Sequence, residues 1–257
     1  METTPLFSII TVTYNAGTTL PPTLASVNSQ TLSDYEHLII DGASKDSTLT
    51  IAHADINPRR RIFSEPDSGI YDAMNRGLEL AKGQYVIFLN AGDRFHSPDT
   101  LKHYADAIQR NNTPGIVYGQ TILVDTDGNK LADRHIKAPS ELTLASFANG
   151  MSVCHQAMAV LKRITMPYNL RYRYSADYEW VIHCLQHSRH NIYIDETVID
   201  YLAEGETTSN RCKSLIERFG IMCHYYGTLP TIWRHIMLIP RFIRHKRHLD
   251  KATQAKR

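Results

Sequence analysis

Strand and helix signals alternate through the first third of the chain, and every strand signal stops at a polar residue. Phe7–Thr13, Glu36–Asp41, Arg61–Ser64 and Gln84–Leu89 are short β-branched or aliphatic runs. Between them, Thr18–Ser29 repeats apolar residues at Leu20, Leu24 and Val27, and Thr48–Ala54 follows a loop rich in helix-capping residues. Ile70–Lys82 places Met74, Leu78 and Ala81 on one face, with Gly83 at the expected C-cap. Repeated βα units of this length predict an α/β fold, a mainly parallel sheet flanked by helices. The apolar run at Gln84–Leu89 predicts a buried central strand.

The rhythm then changes. Ile116–Tyr118 and Thr121–Val124 read as strands, and Asp125-Thr-Asp-Gly128 as a hairpin turn. Ala176–His187 reads as a helix, Asn191–Ile194 as a strand, and Leu215–Tyr226 as a further helix. No repeat or linker divides the chain before residue 227, so 1–227 is expected to be one domain and 228–257 a tail. With 42% hydrophobic and 21% charged residues, disorder and collagen-like structure are excluded. The four cysteines form no C-x-x-C pair, which fits reduced thiols and a cytoplasmic location. The start lacks the pattern of a signal peptide, and no apolar run is long enough to span a membrane.

Ligands of open α/β sheets bind outside the carboxyl ends of the strands. Here those ends carry Thr13-Tyr14-Asn15, Asp41, Glu65-Pro66-Asp67 and Asn90-Ala-Gly-Asp93. Any one of these could be turn chemistry alone; four on one edge predict a shared site. No G-x-G-x-x-G follows the first strand and no P-loop occurs, which argues against dinucleotide oxidoreductases and P-loop NTPases. A carboxylate such as Asp93 could instead hold Mg²⁺ or Mn²⁺ against a diphosphate.

Phe7-Ser-Ile-Ile-Thr-Val-Thr-Tyr-Asn15, Ile40-Asp-Gly-Ala-Ser-Lys-Asp-Ser-Thr48, Gly69-Ile-Tyr-Asp-Ala-Met-Asn-Arg-Gly77 and Ala81-Lys-Gly-Gln-Tyr85 with Phe88-Leu-Asn-Ala-Gly-Asp93 together resemble the family 2 glycosyltransferases. The match is close from Pro5 to Phe95. It continues more loosely through Cys154-His-Gln156 and Ser175-Ala-Asp-Tyr-Glu179 to Tyr201. The resemblance implies a GT-A fold, a nucleotide-diphospho-sugar donor (UDP first among them), a divalent metal and inversion at the anomeric carbon. It is greatest to small bacterial enzymes of capsule, exopolysaccharide or O-antigen synthesis.

Carried over motif by motif, the resemblance puts Thr11, Tyr14 and Asp41 on the nucleobase and ribose, with Ser44 and Asp46 helping from the same loop. Asp67, Asp72 and Asn75 would line the donor pocket beneath the diphosphate, Asp72 and Asn75 sharing a helix face. The usual Asp-x-Asp metal motif reads Asn90-Ala91-Gly92-Asp93, so Asp93 is the metal candidate and Asn90 the ribose candidate. Asp177 matches the general base, with Glu179 as competitor; His155 and Gln156 fall near the acceptor or diphosphate. The Gly205-Glu-Thr-Thr-Ser209 loop could close over the diphosphate. The depleted metal motif also leaves open a nucleotide-sugar-binding protein without catalysis. A nucleotidyltransferase would need a Gly-rich basic loop after the first strand, which Thr13–Gly17 does not supply.

The tail holds eight basic residues against Asp250 alone, interleaved with Ile232, Trp233, Ile236, Phe242 and Ile243. Such a segment is an interfacial anchor for anionic lipid or an ordinary packed helix with a solvated end. It fits a polyprenyl-linked acceptor at the cytoplasmic face of the inner membrane. Nucleic acid is not expected as a partner, because the body is acidic and carries no recognition motif.

Overall fold

The computed structural model describes residues 4–203 and 211–237. The first four strands are β1 (Phe7–Thr13), β2 (Tyr35–Asp41), β3 (Arg60–Ser64) and β4 (Tyr85–Phe88). Their crossover helices are α1 (Leu20–Asn28), α2 (Thr48–Ala54) and α3 (Ile70–Leu80). Then come β5 (Arg94–Phe95), α4 (Thr100–Arg110), β6 (Ile116–Val124), β7 (Lys130–Asp133) and α5 (Leu144–Phe147). They are followed by β8 (Met158–Leu161), α6 (Ala176–His187), β9 (Asn191–Leu202) and α7 (Arg211–Tyr226). Residues 228–237 form a last described helix after a turn at Gly227.

Among the described residues one nine-stranded sheet runs β3-β2-β1-β4-β8-β6-β9-β5, with β7 paired to β6. β1 pairs in parallel with β2 and β4, and β3 with β2, so Thr13 lies opposite Asp41 and Asp41 opposite Ser64. β8 runs antiparallel between β4 and β6, and β9 parallel to β6. The reversal of β8 matters for function. It brings the residues before Met158 to the same edge as the carboxyl ends of β1, β2, β4, β6 and β9. β5, antiparallel to β9, does the same for the residues before Arg94.

All side chains of β1, β2 and β4 are buried, as expected for strands covered on both faces. One core cluster packs Ile10, Leu38, Ile40, Val86 and Phe88 against Met74 and Leu78 of α3 and Trp180 of α6. On the opposite face Ile9, Ile87 and Val117 meet Leu101, Tyr104 and Ile108 of α4.

Several elements depart from the sequence reading. Ile116–Val124 is one strand, not two: Gly119-Gln120 marks a register shift against β9, not a turn. β9 runs on through the polar Asp195-Glu-Thr197 to Leu202, because its far half pairs with both β6 and β5. α4 and β8 have no counterpart in the sequence reading, although Ser97-Pro98-Asp99 and Asn111-Asn-Thr-Pro-Gly115 bracket α4. Gly83 caps no helix, since α3 ends at Leu80 with Ala81 as its C-cap. A side chain at Gly83 would strike the β1 backbone, with Ser8 N at 2.4 Å from a Cβ. The 205–209 loop and the tail beyond residue 237 lie outside the described residues.

Candidate active site

At the carboxyl edge of the sheet a cavity of about 390 Å³ is lined by Asn90, Asp93, His155, Gln156 and Asp177, together with Tyr71, Tyr201 and three arginines. The chain places each for a local reason. Gly92, at φ +104, allows the turn that delivers Asp93, and its N–H donates to Thr23 Oγ1 of α1 at 2.9 Å. Asp93 is buried; its Oδ1 accepts from Leu202 N and its Oδ2 from Gln156 Nε2, each at 3.1 Å. Burial pushes the Asp93 carboxyl up to about 7, against the opposing effects of those two bonds and of His155.

Asp177 opens α6, where the helix dipole favours a carboxylate. Its Oδ1 accepts from Tyr71 O–H at 3.1 Å and from Tyr178 N at 2.9 Å, while its Oδ2 faces His155 Nδ1 at 3.4 Å. Burial acts to raise this carboxyl, yet His155, the charge of Arg218 and Tyr71 outweigh it and hold Asp177 below its ordinary value. The two carboxyls of the cavity are therefore pushed in opposite directions by their surroundings, a separation that assigns them different chemistry.

Three guanidinium groups line the same cavity: Arg134, Arg173 and Arg218. Arg134 is fixed by bonds to the carbonyls of Met151, Ser152 and Ile136. Arg218 of α7 lies over the Tyr178 ring, 5.5 Å from its centroid. Glu217 beside it accepts from Arg173 N at 2.9 Å and Tyr174 N at 2.8 Å, clamping the loop that leads into α6. None of these was found from sequence, although Tyr71 stood inside a quoted motif. The arginines come from the second half of the chain, where no motif marks them.

Three buried polar atoms of cavity residues have no hydrogen-bond partner among the described residues: Asn90 Oδ1, His155 Nε2 and the donor Arg218 Nε. Asn90 Oδ1 and His155 Nε2, like the Asp93 carboxylate, are oxygen and nitrogen donors of the type that Mg²⁺ or Mn²⁺ accepts. Among the described residues no group of three His, Cys, Asp or Glu side chains could hold a metal alone. Phosphate oxygens of a bound substrate would complete the coordination.

The residues expected on the nucleotide divide. Thr13, Asn15, Asp41 and Ser44 stitch the β1 and β2 loops to each other. Asp41 is fully buried and accepts from Thr13 Oγ1, Ser44 N, Ser44 Oγ and Ser64 Oγ. Burial alone would raise it; these bonds hold it below the ordinary carboxylate range. With four bonds its acceptor capacity is filled, so Asp41 shapes the loop instead of offering a free oxygen to a base. Asn15 Oδ1 accepts from Lys45 N, and Asn15 N donates to Ser44 Oγ. Asp46 accepts from Gly17 N and Thr48 N. Tyr14 stands apart at 64% exposure, just past the carboxyl end of β1.

Three expectations need correction. Thr11 is fully buried within β1, where its Oγ1 lies 2.9 Å from His37 Nε2. Burial and then the Arg60 charge lower the His37 pKa to about 3, so the ring is neutral. Arg60 Nε donates to Nδ1, so Nε2–H donates to Thr11. Thr11→Val leaves that N–H unpaired and costs about 1–3 kcal/mol of stability, with nucleotide affinity unchanged. Denaturant melts and nucleotide titration check this; lost affinity in a stable variant would return Thr11 to the base. Glu179 is buried against Tyr225, 3.5 Å from its hydroxyl, and does not line the cavity.

The third correction concerns α3. Ile70, Tyr71 and Met74 face the cavity, whereas Asp67, Asp72 and Asn75 line a separate groove of about 640 Å³ on its other flank. There Asn75 is spent on the Tyr168 backbone, donating to its carbonyl and accepting from its N–H. Asp72 accepts from Ser68, and Asp67 from Gly69 N.

A glycosyltransferase of PGL/p-HBAD biosynthesis from Mycobacterium bovis is 36% identical over 186 residues, 70% of each chain. Staphylococcus aureus TarS 1–349, solved with UDP-GlcNAc, superposes with a TM-score of 0.66 at 17% identity, covering 86% of this chain and 72% of that one. The Pyrobaculum calidifontis mannosyltransferase PcManGT, solved with GDP-Man and Mn²⁺, gives 0.63 at 16% identity, covering 93% and 76%. These structures share the GT-A fold with this chain. The family model described as glycosyl transferase family 2 matches residues 8–165, and the chain belongs to that family.

Proposed function

We propose that the protein is an inverting glycosyltransferase that moves a sugar from a nucleotide diphosphate to a hydroxyl of a glycan or polyprenyl-linked acceptor in bacterial surface polysaccharide synthesis. One observation carries the reading: an ionised, hydrogen-bonded Asp177 shares a cavity with a buried Asp93 and three guanidinium groups. The solved structures with UDP-GlcNAc and GDP-Man support a nucleotide-sugar donor. The mycobacterial glycosyltransferase supports a glycolipid or glycan product.

In this mechanism Asp177 Oδ2 takes the proton of the acceptor hydroxyl as its oxygen attacks the anomeric carbon. The bond from that carbon to the diphosphate oxygen breaks on the opposite face. Tyr71 O–H and Tyr178 N–H anchor Oδ1, and His155 Nδ1 orients the second oxygen. Arg134, Arg173 and Arg218 offset the charge that develops on the leaving diphosphate. Asp93, Asn90 and His155 Nε2 would hold a divalent ion, which supplies further charge neutralisation on the diphosphate. Tyr14 offers a face for the nucleobase, and the Asp41-ordered loop its edge. A polyprenyl-linked acceptor sets the reaction at the cytoplasmic face of the membrane.

Thermal stability in UDP, GDP, dTDP and CMP, each with and without Mn²⁺, tests the donor side. A nucleotide at about 100 times its dissociation constant adds about 2.7 kcal/mol, a shift of roughly 5–10 °C. The expected result is one responding nucleotide whose shift grows with Mn²⁺; silence from all four would remove the donor assignment.

A further inference from the structure

Large hydrophobic side chains stand exposed at fourteen positions among the described residues, and eight of them belong to α7 and the 228–237 helix. On α7 they are Leu215, Ile216 and Phe219, at one-face spacing. The second helix contributes Leu229, Ile232, Trp233, Ile236 and Met237, an unbroken i, i+3, i+4, i+7 stripe. Ile216 is 73% exposed, Leu229 81% and Trp233 65%. The Phe219 and His235 rings meet edge to face at 5.1 Å, so the two helices lie side by side. The inner faces are packed: Ser214, Ile221, Met222 and Thr231 are buried. An apolar surface this contiguous marks an interaction site.

We propose that this two-helix face docks on an anionic lipid bilayer. Charge decides among occupants. The residues that follow, 238–257, hold seven lysines and arginines against Asp250 alone. An anionic leaflet attracts such a run while its acyl region takes up the adjoining apolar stripe, with Trp233 at the boundary. A second copy of the chain would bring two like-charged runs together, and nucleic acid would leave the apolar stripe in water. Neither helix is long and apolar enough to cross a membrane, so the face lies on the surface. The proposal stands on these exposures and charges and does not depend on the transferase reading. It does give that reading a location, because α7 turns Arg218 into the cavity from its other side.

The test is co-sedimentation of the full chain with vesicles of phosphatidylcholine alone or mixed with phosphatidylglycerol. Binding is expected only with phosphatidylglycerol, weakening in high salt, and accompanied by a blue shift of Trp233 fluorescence; the other tryptophan, Trp180, is buried. The exposed-site variant Ile216→Ser/Trp233→Ser, checked for an unchanged circular-dichroism melt, should bind about tenfold more weakly or worse. Three results overturn the proposal. One is absence of binding to either vesicle, and another is equal binding by the variant. The third is a dimer in light scattering, or a tight duplex-DNA complex, that the same substitutions abolish.

Discussion

Asp177→Asn lowers the rate of sugar transfer by about 10³-fold, within the 10²–10⁴ range of a lost general base, and leaves nucleotide affinity nearly unchanged. The amide keeps the shape of the carboxylate, so Oδ1 still accepts from Tyr71 O–H and Tyr178 N–H. What disappears is an oxygen able to take a proton. Glu179→Gln is the companion measurement. Glu179 packs toward Tyr225 outside the cavity, so transfer by that variant stays within about threefold of wild type, as for a residue without a role in the barrier. Steady-state kinetics on the responding nucleotide sugar decide between the two. Near-normal turnover by Asp177→Asn would end its assignment as base. The low Asp177 pKa also fixes the sign of the pH effect: the base form persists through neutrality, and this group limits the rate only when pH falls below the ordinary carboxylate range.

The second large effect runs in two directions at once. Asp93→Asn should lower transfer by about 10²-fold or more, since charge neutralisation by a metal is worth several kcal/mol. The same variant should be more stable than wild type at pH 8 in the absence of metal. Burial raises the folded-state pKa of Asp93 to about 7, above the unfolded value, so the folded protein holds this proton more tightly. Stability from this group is intact below the unfolded pKa, falls as pH rises toward 7, and is fully lost above it. The penalty removed by asparagine is on the order of 4 kcal/mol at pH 8 and small near pH 4. Denaturant melts at acid and alkaline pH measure it. A variant less stable than wild type at pH 8 would show that Gln156 and Leu202 already compensate the charge.

The N-terminal βα units were legible because strand runs, caps and glycines there obey local rules. The edge at which Asn90, Asp93 and Asp41 gather follows from the parallel order alone. Side-chain direction was less legible. Thr11 sits in a strand whose alternation says only that it faces one side, and that side proved to be the His37–Arg60 network. Asp72 and Asn75 do share a face of α3, but Tyr71 and Met74 occupy the flank that lines the cavity. The arginines were invisible because a cation in a loop or on a helix looks like solvated surface until tertiary packing turns it inward. Arg218 shows this plainly. Its neighbours Ile216 and Phe219 lie on the outer face of α7, and no spacing rule distinguishes the cavity side from the other.

The bonds that close the cavity join distant parts of the chain: Tyr71 to Asp177 across 106 positions, Asp93 to Gln156 across 63, and Asp93 to Leu202 across 109. Contacts of such long sequence separation form late, after the loop-closure entropy between them has been overcome. During refolding, the nucleotide edge built from residues close in sequence can therefore mature before the proton acceptor arrives. Recovery of turnover would trail recovery of nucleotide binding, which makes catalysis the stricter gauge of a completed chain.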